Sequence, residues 1–368
     1  MTKKKLNEIS MLINGYAFKS SKYVQSGLRV IRIANVQDGY LSDSEPCFYP
    51  IETTTKLEQF LLKPHDLLMS LTGNVGRVAF IEKEYLPAGL NQRVECIRPF
   101  KETDKEYLYY FFRSPMFQRE SLKASHGSAQ LNLSTVWLAN FYVAYPDEEK
   151  RKTVVNTLRT IDNLLREKRN QLIKLDCLVK SRFMEMFPDW DLSLQKADWI
   201  ELKALTKIYT GTTPKTEQKD YWNGDIPWVT PAELNSDSYI VSDTERHLTE
   251  AGRASKSLSL MPVGTVLLTT RAPIGKVAIC GVPMACNQGF KNFECGSELN
   301  PTFLYVLLKL NVEWLQSQGT GTTFKEISKT KAEGIKISVP DIESQVAFEN
   351  FYKLIDKSRF VCHSRNFL

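Results

Sequence analysis

From residue 147 to residue 186 the chain contains neither Gly nor Pro, and its apolar positions recur at steps of four and three. Val154, Leu158, Ile161, Leu165, Leu172, Leu175 and Val179 follow this pattern, with Lys168 in the one polar slot. A repeat of that period, kept over roughly four heptads, predicts a long helix carrying a coiled-coil seam. Pro146-Asp147 precedes it, with Asp147 as a candidate N-cap and Glu148 and Glu149 where the helix dipole favours an anion. Pro188 ends it. A helix of about 40 residues spans roughly 60 Å.

On either side the pattern changes. Residues 29–36, 66–70 and 76–81 are short, rich in β-branched and apolar residues, and bounded by turn formers, so they predict strands; 107–114 predicts a helix. The same plan then returns. Asp66-Leu67-Leu68-Met69-Ser70 and Val75-Gly76-Arg77-Val78-Ala79 reappear as Thr265-Val266-Leu267-Leu268-Thr269 and Ile274-Gly275-Lys276-Val277-Ala278. Asn91-Gln92 reappears as Asn287-Gln288, Leu108-Tyr109 as Leu304-Tyr305, Pro146-Asp147 as Pro340-Asp341, and Ile161-Asp162 as Ile355-Asp356. Counterparts lie 199 residues apart at first and 194 at the end. Solenoid repeats have periods of roughly 20–50 residues, so this is a duplicated domain. The second helix begins at Pro340-Asp341 and continues through Val346, Phe348, Tyr352, Ile355, Arg359 and Cys362. Counterparts of 175–186 are missing, so it is expected to be shorter by about 12 residues.

The expected organisation is α+β. Residues 1–146 form the first repeated domain, 147–187 the central helix, 188–340 the second domain and 341–368 a short C-terminal helix. Two helices that each follow a copy are expected to pack antiparallel through their seams, with Tyr352 and Ile355 on the second, and to act as a ruler between the copies.

At 368 residues, 42% hydrophobic and 24% charged, the chain can bury real cores and is not disordered. The net charge of +6 permits a polyanionic partner without requiring one. No apolar run approaches the roughly 20 residues that span a bilayer, and the N-terminus lacks a secretory apolar stretch, so a cytoplasmic protein without membrane contact is expected. Seven cysteines with no Cys-x-x-Cys fit a reducing compartment. Cys280, Cys286 and Cys295 cluster without zinc spacing and read as structural thiols.

Catalytic motifs fail in turn. Pro146-Asp147-Glu148-Glu149-Lys150 gathers nuclease-like residues contiguously at a helix start, where they cap rather than converge on a metal. Asn300-Pro301-Thr302-Phe303 approximates an amino-methyltransferase motif, but its third residue is wrong and no Gly-x-Gly loop precedes it; it reads as a helix start. Gly275-Lys276 lacks the upstream Gly of a phosphate loop, and His65, His126, His247 and His363 are scattered. No catalytic residue, metal ligand or cofactor site is expected.

Two repeated loops remain. Thr72-Gly73-Asn74-Val75-Gly76-Arg77 matches Arg271-Ala272-Pro273-Ile274-Gly275-Lys276, each placing a cation after a Gly. Ser125-His126-Gly127-Ser128-Ala129-Gln130 matches Gln318-Gly319-Thr320-Gly321-Thr322-Thr323-Phe324-Lys325. Small hydrogen-bonding loops suit backbone phosphates, although ordinary turns and linkers also look like this. Thr72, Asn74, Arg77, Ser125, Ser128, Gln130, Arg271, Lys276, Thr320, Thr322 and Lys325 are therefore DNA-binding candidates, with Arg77 and Lys276 as the foremost phosphate contacts. Asn35, Arg93, Gln288 and Lys291 carry side chains able to pair with base edges.

Taken together, these residues resemble the specificity subunit of type I restriction-modification systems. The likeness covers nearly the whole chain. It rests on the two strand-turn-strand elements, the Gly-rich loop before Leu133-Ser134 and Ile327-Ser328, and Val143-Ala144-Tyr145-Pro146 against Val339-Pro340. It also rests on the helix ending Lys180-Ser181-Arg182-Phe183-Met184-Glu185-Met186-Phe187. The resemblance implies two target-recognition domains reading a bipartite, asymmetric site in double-stranded DNA. It implies no catalysis in this chain. Modification (methyltransferase) subunits using S-adenosylmethionine, and a restriction (translocase/endonuclease) subunit using ATP and Mg, would be its partners. The short C-terminal helix departs from the family pattern. Two rival readings are a duplicated protein-binding adaptor docking through its coiled coil, and an enzyme whose site carries no recognisable motif.

Overall fold

The computed structural model describes residues 2–127, 130–235, 237–271, 273–321 and 325–364. The chain divides into two compact units, residues 1–166 and 167–368. The division falls inside the long helix Glu148–Met186, so each unit carries its own stretch of it.

In unit 1 the main sheet runs in the order Ser10–Asn14, Val94–Pro99, Leu67–Ser70, Val78–Phe80, with antiparallel neighbours throughout. The strand Leu67–Ser70 is buried on both faces, which is why it reads as a continuous apolar run. Strand alternation sends Leu67, Met69 and Ile97 into one core, against Leu108, Phe112, Phe117 and Leu138 from the helices. Leu68, Cys96 and Ala79 go into another, shared with a smaller sheet of Phe48–Tyr49, Leu28–Ile31 and Ala88–Leu90. The strand expected over 29–36 stops at Ile31. Beyond it the Asn35 amide oxygen accepts from the Arg32 backbone N–H (2.9 Å) and folds the chain into a turn.

Unit 2 repeats the plan. Its main sheet runs Thr206–Thr210, Lys291–Cys295, Val266–Leu268, Val277–Cys280, Ile240–Val241. A smaller sheet joins His247–Leu248, Trp222–Val229 and Ala285–Cys286. In both copies a glycine makes a close crossing possible: a Cβ at Gly15 would lie 2.0 Å from the Asn91 carbonyl oxygen, and one at Gly211 1.9 Å from that of Cys286.

Both helices that follow the copies begin as their sequences imply. Asp147 caps the first, accepting from the Lys150 N–H (2.9 Å), and Asp341 caps the second, accepting from Ser344 (2.7 Å). Within unit 1 the long helix is anchored by Arg151 and Val155, not by the expected seam. Arg151 Nε donates to Asp104 (2.9 Å) in a buried pair, while Val155 joins the domain core. Val154, Ile161 and Leu165 remain 41%, 46% and 40% exposed, and Leu158 is half-buried. Arg151 is in phase with the heptad stripe, seven residues before Leu158, but Val155 lies one residue past Val154, about 100° of helix rotation away.

Within unit 2 the seam fares better. Val179 is buried, Leu172 and Leu175 are half-buried, and Phe183 and Phe187 complete the face. The C-terminal helix Ile342–Ser364 lies against it with Tyr352 buried and Ile355 half-buried. Phe348 sits 5.0 Å from Phe183, and Arg359 pairs with Asp176, so the two helices run antiparallel.

Candidate nucleic-acid interface

The loops that recur in the sequence converge in space within each unit. In unit 1 the turn after Leu67–Ser70 meets two other segments. Leu71 donates its N–H to the Arg93 carbonyl (3.0 Å), Gly73 donates to Leu131 (2.8 Å), and Leu133 donates to Leu71 (2.8 Å). The hairpin closes through reciprocal His126–Asn132 bonds of 3.1 and 2.9 Å. Thr72 Oγ1 donates to the Asn132 side-chain oxygen (2.8 Å). Unit 2 repeats the weave. Thr270 donates to Gly289 (2.7 Å), Ile327 donates to Thr270 (2.9 Å), and Thr320 and Glu326 exchange bonds of 3.0 and 2.9 Å. The positive φ of Gly76 and of its counterpart Gly275, +80° and +98°, lets both turns reverse without Cβ strain.

On this shared frame the side chains differ. In unit 2 the Glu326 carboxylate accepts from Arg271 Nε (2.9 Å) and pairs with Lys291 Nζ (3.4 Å), making a small ionic cluster. At the same positions unit 1 has Asn132, Thr72 and Glu95. Glu95 and Lys291 occupy equivalent strand positions, opposite Asn14 and Thr210 respectively. Glu95 is fully buried, and neither carboxylate oxygen has a hydrogen-bond partner among the described residues. Burial pushes its carboxyl up to about 7.

The candidates fall into three groups. Asn74, Arg93 and Gln130 in unit 1, and Arg271, Gln288, Thr320 and Lys325 in unit 2, are exposed around these loops. Of these, Arg271 is held by Glu326 and Gln288 accepts from Thr213 (2.7 Å). Four others are withdrawn from the surface. Asn35 is buried with its amide spent on Arg32 and the Ser42 carbonyl. Thr72 is buried on Asn132, Ser125 donates to the Ser121 carbonyl (2.7 Å), and Lys291 is buried beside Glu326. In this conformation they shape the loops and present nothing to a base edge.

Arg77 and Lys276 form the third group. Each is half-buried and tied inward: Arg77 Nη1 donates to Gln37 Oε1 (2.6 Å), and Lys276 Nζ donates to the Pro231 carbonyl (2.8 Å). Sequence reasoning had no signal for this, because the partners lie 40 and 45 residues away. Ser128 and Thr322 lie outside the described residues.

Among the described residues no group of three or more His, Cys, Asp or Glu side chains gathers as for a metal. Burial pushes the thiols of Cys280, Cys286 and Cys295 up to about 12. No helix is long and apolar enough to cross a membrane among the described residues.

A family model described as the type I restriction modification DNA specificity domain matches residues 1–175 and again residues 196–357. The chain belongs to this family. The two matches coincide with the two copies of the internal repeat. The MjaIX specificity subunit of Methanocaldococcus jannaschii is 38% identical over 173 residues, covering 46% of this chain and 40% of that one. The MjaVIII specificity subunit of the same organism is 30% identical over 172 residues, covering 45% and 40%. The match thus spans two fifths of either relative. In fold, the chain is similar to the crystal structure of the type I restriction-modification S subunit from M. genitalium, with a TM-score of 0.59 at 15% identity, covering 99% of this chain and 91% of that one. The specificity domains of this chain therefore share one scaffold, and the loops that differ between them sit on equivalent frames.

Proposed function

We propose that this chain reads a split, asymmetric DNA sequence for a type I restriction-modification assembly, each specificity domain taking one half of the site. The observation that carries this reading is the contrast between frame and side chains. The three converging segments are held by the same backbone bonds in both units, while their exposed groups differ: Arg271 is exposed where Thr72 is buried, and an exposed Asn132 stands where unit 2 has Glu326. A constant frame with divergent polar tips is what two readers of different sequences require, since phosphate contacts position and base contacts specify. Arg93, Asn74 and Gln130 are the contacts assigned to one half-site, and Arg271, Gln288, Thr320 and Lys325 to the other.

Catalysis is assigned to the partners. The modification subunits would use S-adenosylmethionine and the restriction subunit ATP and Mg, and the assembly works on cytoplasmic DNA. The exposed stripe of Val154, Ile161 and Leu165 on the long helix is the surface proposed for subunit docking.

Replacing residues 199–340 with the matching segment of a relative tests the reading. One half of the methylated site is expected to change, with the other half and the gap retained. A swap that alters both halves together, or neither, refutes independent reading. The adaptor alternative requires that the chain show no DNA affinity that falls steeply with salt; each phosphate contact contributes roughly 0.9 to that log–log slope.

A further inference from the structure

A second set of side chains recurs in both units and is not explained by the loop frame. In unit 1, Arg113 ends the helix Lys105–Arg113 and reaches three ways. Its Nε donates to Asp38 (2.9 Å), its Nη1 donates to the Tyr109 hydroxyl (2.9 Å), and the same Nη1 approaches Asp162 on the long helix (3.4 Å). The loop residue after Asp38 is Gly39, whose N–H donates to Val78 (2.9 Å). A Cβ there would stand 2.9 Å from the Tyr109 hydroxyl, so the loop lies flat on this node. The residue before it, Gln37, is the one that Arg77 holds.

Unit 2 builds the node again from Lys309, Tyr305, Asp237 and Asp356. Lys309 Nζ donates to the Tyr305 hydroxyl (3.2 Å), and Asp237 and Asp356 stand at the sequence positions that match Asp38 and Asp162. The Tyr305 hydroxyl donates to the carbonyl of Ser238, the residue after Asp237 (2.9 Å). Arg77 has its counterpart in Lys276, bound to Pro231 in the corresponding loop.

We propose that Arg113 and Lys309 are positioning residues that register the loop around Asp38 in unit 1, and the segments at Pro231 and Ser238 in unit 2, to the helix that follows each copy, Glu148–Met186 and Ile342–Ser364 respectively, and through Arg77 and Lys276 to the converging turns. An isolated exposed ion pair contributes about 0–1 kcal/mol, which gives no reason for one to persist between copies. All four residue types recur at matching positions, a cation, a tyrosine, a loop aspartate and a helix aspartate, and the cation–tyrosine bond is made in both units. Over the same interval the side chains of the loop frame exchanged Thr for Arg, Asn for Glu and Glu for Lys. A reader needs its contacts held to within about 0.5 Å, and in unit 1 this relay ties them to the helix on which the assembly is proposed to dock. The clamp itself rests only on the geometry; its effect on recognition rests on the DNA-reading function proposed above.

Arg113→Gln and Arg113→Lys in the full chain separate the two. Hydrogen exchange is followed at the N–H groups of Gln37, Gly39 and Ser42, which are bonded to Tyr40, Val78 and Asn35. Sequence preference is read by selecting bound duplexes from a random-sequence pool with the chain in complex with its modification subunits. Arg113→Gln is expected to speed exchange at these amides at least tenfold and to lower discrimination about tenfold at one half-site. The Lys variant, the choice unit 2 itself makes, should recover both, and Lys309→Gln should loosen the other half-site. Unchanged exchange in Arg113→Gln overturns the clamp. Faster exchange with the same selected sequence overturns the positioning role. A parent complex that selects no sequence, while exchange still responds, overturns the DNA-reading function and leaves the clamp supported.

Discussion

Arg151→Met removes one partner of the buried pair that seats the long helix on unit 1. The Arg151 and Asp104 side chains are 4% and 1% exposed, with Nε 2.9 Å from Oδ1. The guanidinium also donates to the Pro146 carbonyl (2.5 Å) and lies 4.0 Å from the Tyr145 ring, whose hydroxyl donates to the other Asp104 oxygen. Without Arg151, the Asp104 carboxylate stays buried with a single neutral donor. Breaking a buried pair in this way costs about 3–5 kcal/mol, chiefly through the uncompensated charge. In a unit of this size each kcal/mol moves Tm by about 2–4 °C, so a fall of roughly 6–20 °C is expected. Unit 2 supplies the control. At the same two positions it has Gln345 and Asn300: Gln345 accepts from the Asn300 N–H (2.8 Å) and donates to Glu298 and Pro340. The double variant Asp104→Asn with Arg151→Gln copies that neutral solution and should regain most of the loss. Calorimetry on the parent, Asp104→Asn, Arg151→Gln and the double closes the cycle, with Arg151→Met measured beside it. A single variant melting within 2 °C of the parent, or a double no better than the Arg151 single, would refute the reasoning.

Glu95→Gln should reshape the pH dependence of stability. The unfolded chain releases this proton in the ordinary carboxylate range and the folded chain near pH 7, so between those values the folded state holds the extra proton. Stability of the parent therefore falls as pH rises through that window, by roughly 3 kcal/mol, and stays low above it; Tm measured from pH 4.5 to 8 should be flatter in the variant, and equal slopes would count against the buried, unpartnered carboxyl. Arg93→Ala and Lys325→Ala should each lower the salt slope of DNA binding by about one unit, since both are exposed cations without a partner among the described residues. Arg77→Ala should leave that slope unchanged because its charge is turned inward, and a full unit lost there would restore it as a phosphate contact. Ile161→Asp with Leu165→Asp should change the stability of the isolated chain by less than about 1 kcal/mol yet abolish co-purification with a modification subunit; a large fall in Tm would mean the seam packs within this chain.

The duplication, the α+β plan, the caps at Asp147 and Asp341, the helix start at Asn300 and the extent of the long helix were all legible in the amino-acid sequence. Each depends on local chemistry: a carboxylate or amide reaching an N–H two or three residues on, an apolar period, or the absence of Gly and Pro. The Gly-rich loops stood out only because the chain states them twice; that they converge was decided by the fold. What tertiary structure decided was which polar groups remain available. Asn35 was consumed by its own turn, Lys291 by burial beside Glu326, and Arg77 by Gln37, so residue types suited to DNA became supports for the loops. The helix face that packs on unit 1 was likewise settled by distant contacts: Arg151 reaches Asp104 across 47 residues, and Val155, one position past Val154 of the stripe, enters the core. A heptad ranks apolar positions by spacing alone. Contacts with distant elements choose which positions on and beside that stripe are buried, and that choice has no local period for a sequence to display.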